Sequence, residues 1–95
     1  MTNKIILTLP STLSRISGNE YGQSIFENQV EKKISQDEIN EIIFPDTVQA
    51  VGISFVKGLM GTMINKYGRE KIFEHFLFTS NNKDVEKSIK ESIEY

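Results

Sequence analysis

Ninety-five residues, 38% hydrophobic and 25% charged, are the size and composition of one small globular domain. Eleven basic against thirteen acidic side chains leave a net charge of −2. That balance excludes the cationic surplus by which proteins hold nucleic acid or an anionic membrane surface. With no cysteine, a disulfide framework, a thiolate metal site and a cysteine nucleophile are excluded as well.

The opening MTNKIILTLP is too short for a signal-peptide core, and no segment approaches the length of a membrane span. A cytoplasmic protein is expected. Lys4 to Leu9 is a β-branched and Leu-rich run ended by Pro10, which predicts a first strand. Ser11 to Asn19 is polar and punctuated by Gly18, and reads either as a loop or as a second short strand around Leu13 to Ile16. From Glu20 to Ile34 the apolar residues Phe26, Val30 and Ile34 recur every fourth position, beside Tyr21 and Ile25, and predict an amphipathic helix. Its Gly22 falls in the first turn, where the helix penalty is small or a neighbour comes close.

Ile39 to Phe44 predicts a second strand, and its Ile42-Ile43-Phe44 run suggests burial on both faces, as in parallel sheets. Pro45-Asp46 ends it. Ser54 to Tyr67 predicts a helix that is apolar almost all round, closed by Gly68. Lys71 to Thr79 is rich in Phe and reads as a third strand carrying His75. Ser80-Asn81-Asn82 offers N-caps to a last helix in which Val85, Ile89 and Ile93 recur every fourth position, with Glu86 and Lys90 spaced for an ion pair. Alternating strands and helices imply parallel neighbours joined by crossovers, with room for one antiparallel edge strand.

Chemistry is sparse. Ser54, ahead of an apolar-periodic run, is a preferred N-cap, and it is equally a hydroxyl that could be phosphorylated or could mark an anion site at a helix N-terminus. Gly58 and Gly61 each cost roughly 1 kcal/mol relative to Ala inside a helix. Their compensation is close packing within the domain, or the approach of a partner or a second copy. His75 is the only histidine, so a zinc site lacks its usual ligands, and a structural role is expected for it. No nucleophile, base and orienting group fall into a recognisable set, and no phosphate-binding glycine loop is present. The expected catalytic residues, cofactors and metal ligands are therefore none.

Residues 15 to 95 resemble the STAS-like domains of unknown function found as small bacterial proteins. Tyr21-Gly22 opening the first helix, the Asp-containing turn Phe44-Pro45-Asp46, and Gly52-Ile53-Ser54-Phe55 leading to Gly61 carry the resemblance. It implies a single α/β domain over residues 1–95, with a mixed, mostly parallel sheet of about four strands and helices on one face. In anti-sigma-factor antagonists of the STAS type, a serine at the start of the second helix is phosphorylated by an ATP-binding kinase that is also the partner; Ser54 matches it by position. By the same resemblance Asp46, Gly52, Ile53, Phe55, Lys57, Gly58 and Gly61 are candidates for contact with a regulatory protein partner. The chain has Gly52 and Phe55 where STAS domains proper carry an acidic residue and a glycine. Two other functions compete: a nucleotide- or anion-binding module at the helix N-terminus, and a structural or oligomeric subunit using the glycine face.

Overall fold

The structure, a computed structural model, describes residues 2–94. It is an α/β domain of two layers. Three parallel strands, β1 (Thr2–Ile6), β3 (Ile39–Ile43) and β5 (Phe76–Thr79), form the main sheet in the order β1-β3-β5. Register places Lys4 beside Glu41 and Ile6 beside Ile43, and Glu41 in turn beside Leu77. A second, two-stranded sheet pairs β2 (Arg15–Ile16) with β4 (Ala50–Val51), also in parallel. The helices are α1 (Asn19–Ile25), α2 (Ile53–Tyr67), a single turn α3 (Ile72–His75) and α4 (Lys83–Glu94).

One face of the main sheet makes the core. Ile5, Leu7 and Leu9 from β1 and its continuation, Ile42 from β3 and Phe44 just after it, and Phe76 and Phe78 from β5 are all buried. Helix α2 supplies Phe55, Val56, Leu59, Met60 and Met63, and α4 supplies the predicted Val85, Ile89 and Ile93. α2 packs against α1 and against α4, so it is the middle element of the helical layer.

The sequence expectations need five corrections. No antiparallel strand occurs among the described residues, because the Ser11–Asn19 segment contributes only β2, which pairs with β4 and not with the main sheet. β3 is not buried on both faces: Ile42 and Phe44 are buried, while Ile43 on the opposite side is half-buried and Ile39 is 44% exposed. The helix expected over Glu20–Ile34 is regular only to Ile25, then widens into a π turn over Phe26–Val30 and tightens into a 3-10 turn over Glu31–Lys33.

The strand expected from Lys71 begins only at Phe76. Before it, the turn α3 folds Ile72 into the core, and His75 lies on the ring of Tyr67 at a centroid distance of 4.0 Å. His75 is thus held by aromatic stacking at the end of a helical turn and does not share a strand face with Leu77. Glu86, finally, pairs with Lys83 at 3.5 Å, because its carboxylate turns back to accept from the Ser80 amide at 2.9 Å.

Candidate functional site

α2 begins one residue earlier than its serine suggests. Gly52 is the cap, with extended dihedrals, and its carbonyl accepts from the Val56 amide at 3.2 Å. Ser54 is therefore the second helical residue and caps nothing in its own helix. Its Oγ instead accepts from the Gly18 amide at 3.1 Å, thirty-six positions away in sequence. Gly18 has φ +103°, a conformation that favours glycine, and its carbonyl accepts from the Gly22 amide at the start of α1. One hydroxyl thus ties the N-terminus of α2 to the N-terminus of α1.

The two glycines of α2 separate cleanly. A Cβ on Gly58 would sit against the carbonyl oxygen of Asn19, well inside contact distance. Gly22 of α1 faces the same crossing, where a Cβ would strike the Phe55 carbonyl and come within 2.7 Å of the Leu59 amide. Backbone lies on backbone here, which compensates the helix cost of both residues. Gly61, one turn on, meets nothing within 4 Å. Its missing side chain has no packing cause inside the domain.

Ser54, Lys57 and Asn65 are exposed, and Gly61 is half-buried. Spacings of three and four residues line these four along one strip of α2. The strip has a furrow on each side. Toward α1 lies an open groove of about 450 Å³, whose floor is Phe26, Gly58 and Gly61 and whose far wall carries Gln23, Glu27 and Glu31. Toward α4 lies a shallower one of about 200 Å³, reaching Ser92, Ile93 and Arg69. Lys57, Gly61 and Asn65 line both. At Gly61 the ridge between them is notched to the backbone.

The other expected contact residues lie as follows. Ile53 is 58% exposed at the first turn of α2 and borders a cleft with Ser88 and Glu91 of α4. Gly52 is half-buried against Ser17. Phe55 is fully buried, its ring beside that of Tyr21 at 5.6 Å, and offers no surface; it holds α2 from beneath. Gly58 is buried against Asn19 of α1 and reaches the surface only as part of the groove floor. Asp46 is exposed, but it accepts a hydrogen bond from Asn81 and so belongs to the turn before α4. Ser54 and His75 are not brought together: Ser54 opens α2, His75 stacks on Tyr67 at its far end, and about 20 Å of helix separates them.

Nothing in the sequence points to the partner of Ser54, to the acidic wall that Glu27 and Glu31 build in the turns after α1, or to the cleft at Ile53. Only the unexplained Gly61 signalled the groove. Among the described residues no cluster of three or more His, Asp or Glu side chains could hold a metal ion, and no helix is long and apolar enough to cross a membrane. Compared with known proteins, the chain matches no protein-family model, no curated protein and no solved structure.

Proposed function

We propose that this chain is a non-enzymatic regulatory domain that binds another protein along the outer strip of α2, with Ser54 as the residue whose charge sets the affinity. One observation carries the reading: Gly61 is bare where two furrows meet, in a helix where an unopposed glycine costs roughly 1 kcal/mol. A partner backbone or side chain laid across that notch supplies the missing compensation. The lining favours a protein over a small molecule, since ligand pockets are mostly enclosed and apolar, whereas this groove is open and largely polar.

Ser54 is suited to modification because it is exposed and one turn from Lys57. A phosphate there carries a charge near −2 and finds the Gly18 amide and the helix N-terminus as donors. It also draws the Lys57 ammonium toward it, at a spacing of three residues, and away from anything in the groove. On the resemblance to STAS domains, the partner we propose is an ATP-binding kinase of the histidine-kinase type, and the proposed location is the cytoplasm.

The reading is tested by incubating the protein with such a kinase and ATP and mapping phosphate by mass spectrometry. Phosphate on Ser54, with binding that weakens in Ser54→Asp, is expected. A protein that neither binds nor gains phosphate contradicts the proposal.

A further inference from the structure

The second face of the main sheet is uncovered. Alternation along the strands sends Thr2, Lys4 and Ile6 of β1, Ile39, Glu41 and Ile43 of β3, and Leu77 and Thr79 of β5 away from the helices. Ile6 is 63% exposed and Ile39 and Leu77 are each 44% exposed. Parallel sheets are ordinarily covered on both faces, and a sheet face meant for water carries polar residues at alternate positions. Here Ile6, Ile39, Ile43 and Leu77, four of the eight, are large and aliphatic, and three of them are exposed.

The two charges on this face are of opposite sign and lie side by side in register. They do not pair with each other. Glu41 leans the other way, its carboxylate accepting from the Thr79 hydroxyl at 2.6 Å, and among the described residues Lys4 has no carboxylate within ion-pair distance. We propose that this face stacks on the same face of a second copy of the chain, about a two-fold axis running along the strands between β1 and β3. That axis sets Lys4 over Glu41 of the copy, Glu41 over its Lys4, and Ile6 over Ile43. Two ion pairs and an aliphatic layer then close at once, as an isologous interface requires.

About that axis the copies overlap on β1 and β3 only, two strands wide and about five residues long, roughly 10 by 17 Å, with β5 and its Leu77 lying beyond the overlap. The buried area falls well below that of standard stable interfaces, so the dimer is a weak one, with a dissociation constant in the micromolar to millimolar range. It uses neither the strip on α2 nor the glycines there, and it stands whether or not that strip binds a partner.

Sedimentation equilibrium from about 10 μM to 1 mM tests it. The wild type is expected to pass from monomer to dimer across that range. Lys4→Glu or Glu41→Lys alone sets like charges over one another twice, and each raises the dissociation constant about tenfold or more. An equimolar mixture of the two variants restores both attractions and associates more tightly than either alone. Ile6→Thr, at the most exposed position of the face, keeps the fold by circular dichroism and weakens the dimer independently of charge. A wild type that stays monomeric at 1 mM, as it would if the face served a different protein, overturns the proposal. So does a mixture that associates no better than its components.

Discussion

At the scale of single residues, the two glycines of α2 make opposite predictions from the same substitution. Gly58→Ala drives a Cβ into the backbone of Asn19 and forces α1 and α2 apart. It should destabilise by about 2–4 kcal/mol, in the range of overpacked cores and broken element contacts. Gly61→Ala adds a methyl in open space and gains helix propensity, stabilising by about 0.5–1 kcal/mol. Urea denaturation of the two variants checks both signs. Equal effects would mean that the close approach of α1 to Gly58 is not real.

Glu86 makes a second prediction at this scale. The Ser80 amide, and then Lys83 and Lys90, hold its carboxyl below the ordinary value of 4.5 against the opposing effect of burial. A depressed carboxyl stabilises the fold fully above its unfolded pKa, and that stability is lost as pH falls through the lower folded value. The melting temperature of the wild type should therefore exceed that of Glu86→Gln near neutrality, and the gap should close in acid, as pH falls below the ordinary 4.5 and through the lower folded value. A gap that persists unchanged to pH 3 would contradict the role given to its charge.

At the scale of elements, Asn40 is the polar pin of the sheet. It is buried on the core side of β3 beside Ile42, and its Oδ1 accepts from the Ser35 amide at 2.7 Å and from Asn3 Nδ2 at 2.8 Å. Its Nδ2 donates to the carbonyls of Ser35 and Glu38 and reaches that of His75 at 3.3 Å. One side chain thus fixes β3 to the loop before it, to β1 and to α3. Asn40→Leu leaves the Ser35 amide and the Asn3 side chain without their acceptor and should cost about 2–3 kcal/mol by chemical denaturation. A change below about 0.5 kcal/mol would mean that water replaces the network.

Gln29 does similar work at an edge. Its amide donates to and accepts from the backbone of Thr8, so a side chain occupies the free edge of β1 just past its pairing with β3.

These elements also show what was legible in the sequence. The strands at β1 and β3 and the helices α2 and α4 carry unambiguous apolar periods, and the structure has all four. The stretch from Lys71 misled because the short apolar runs Ile72-Phe73 and Phe76-Leu77-Phe78 suit a strand and a buried helical turn alike. What decides is Tyr67, which takes the ring of His75 and leaves Ile72 to turn inward. β2 and β4 are two residues each, too short for any period to register. The widened turn after Ile25 keeps Phe26 and Val30 both buried and has no signature in residue type.

Ser54 was recognisable as a helix-start serine, but its bond to Gly18 joins residues thirty-six apart, and only the packed fold shows it. The candidate surface was legible in one respect only, through a glycine that no intrahelical argument explains.

At the scale of the whole molecule, the two layers present two different surfaces. The helical layer is polar and notched at Gly61; the sheet layer is flat and aliphatic. The account therefore predicts that partner binding and self-association are separable. Gly61→Leu should abolish the first and leave the second unchanged, and Ile6→Thr the reverse. Sedimentation of both variants with and without the partner checks this, and coupled losses would contradict two independent faces.

The central claim, that the strip of α2 is where another protein docks, is tested most directly by photo-crosslinking in the producing cell from a probe placed at position 65. Asn65 is exposed on the strip one turn from Gly61, and a probe there leaves the notch itself open. A discrete crosslinked partner is expected from position 65, absent from a control probe at the exposed position 87 on α4 and reduced by Ser54→Asp. Crosslinks of equal yield from both positions, or none from position 65, would contradict it.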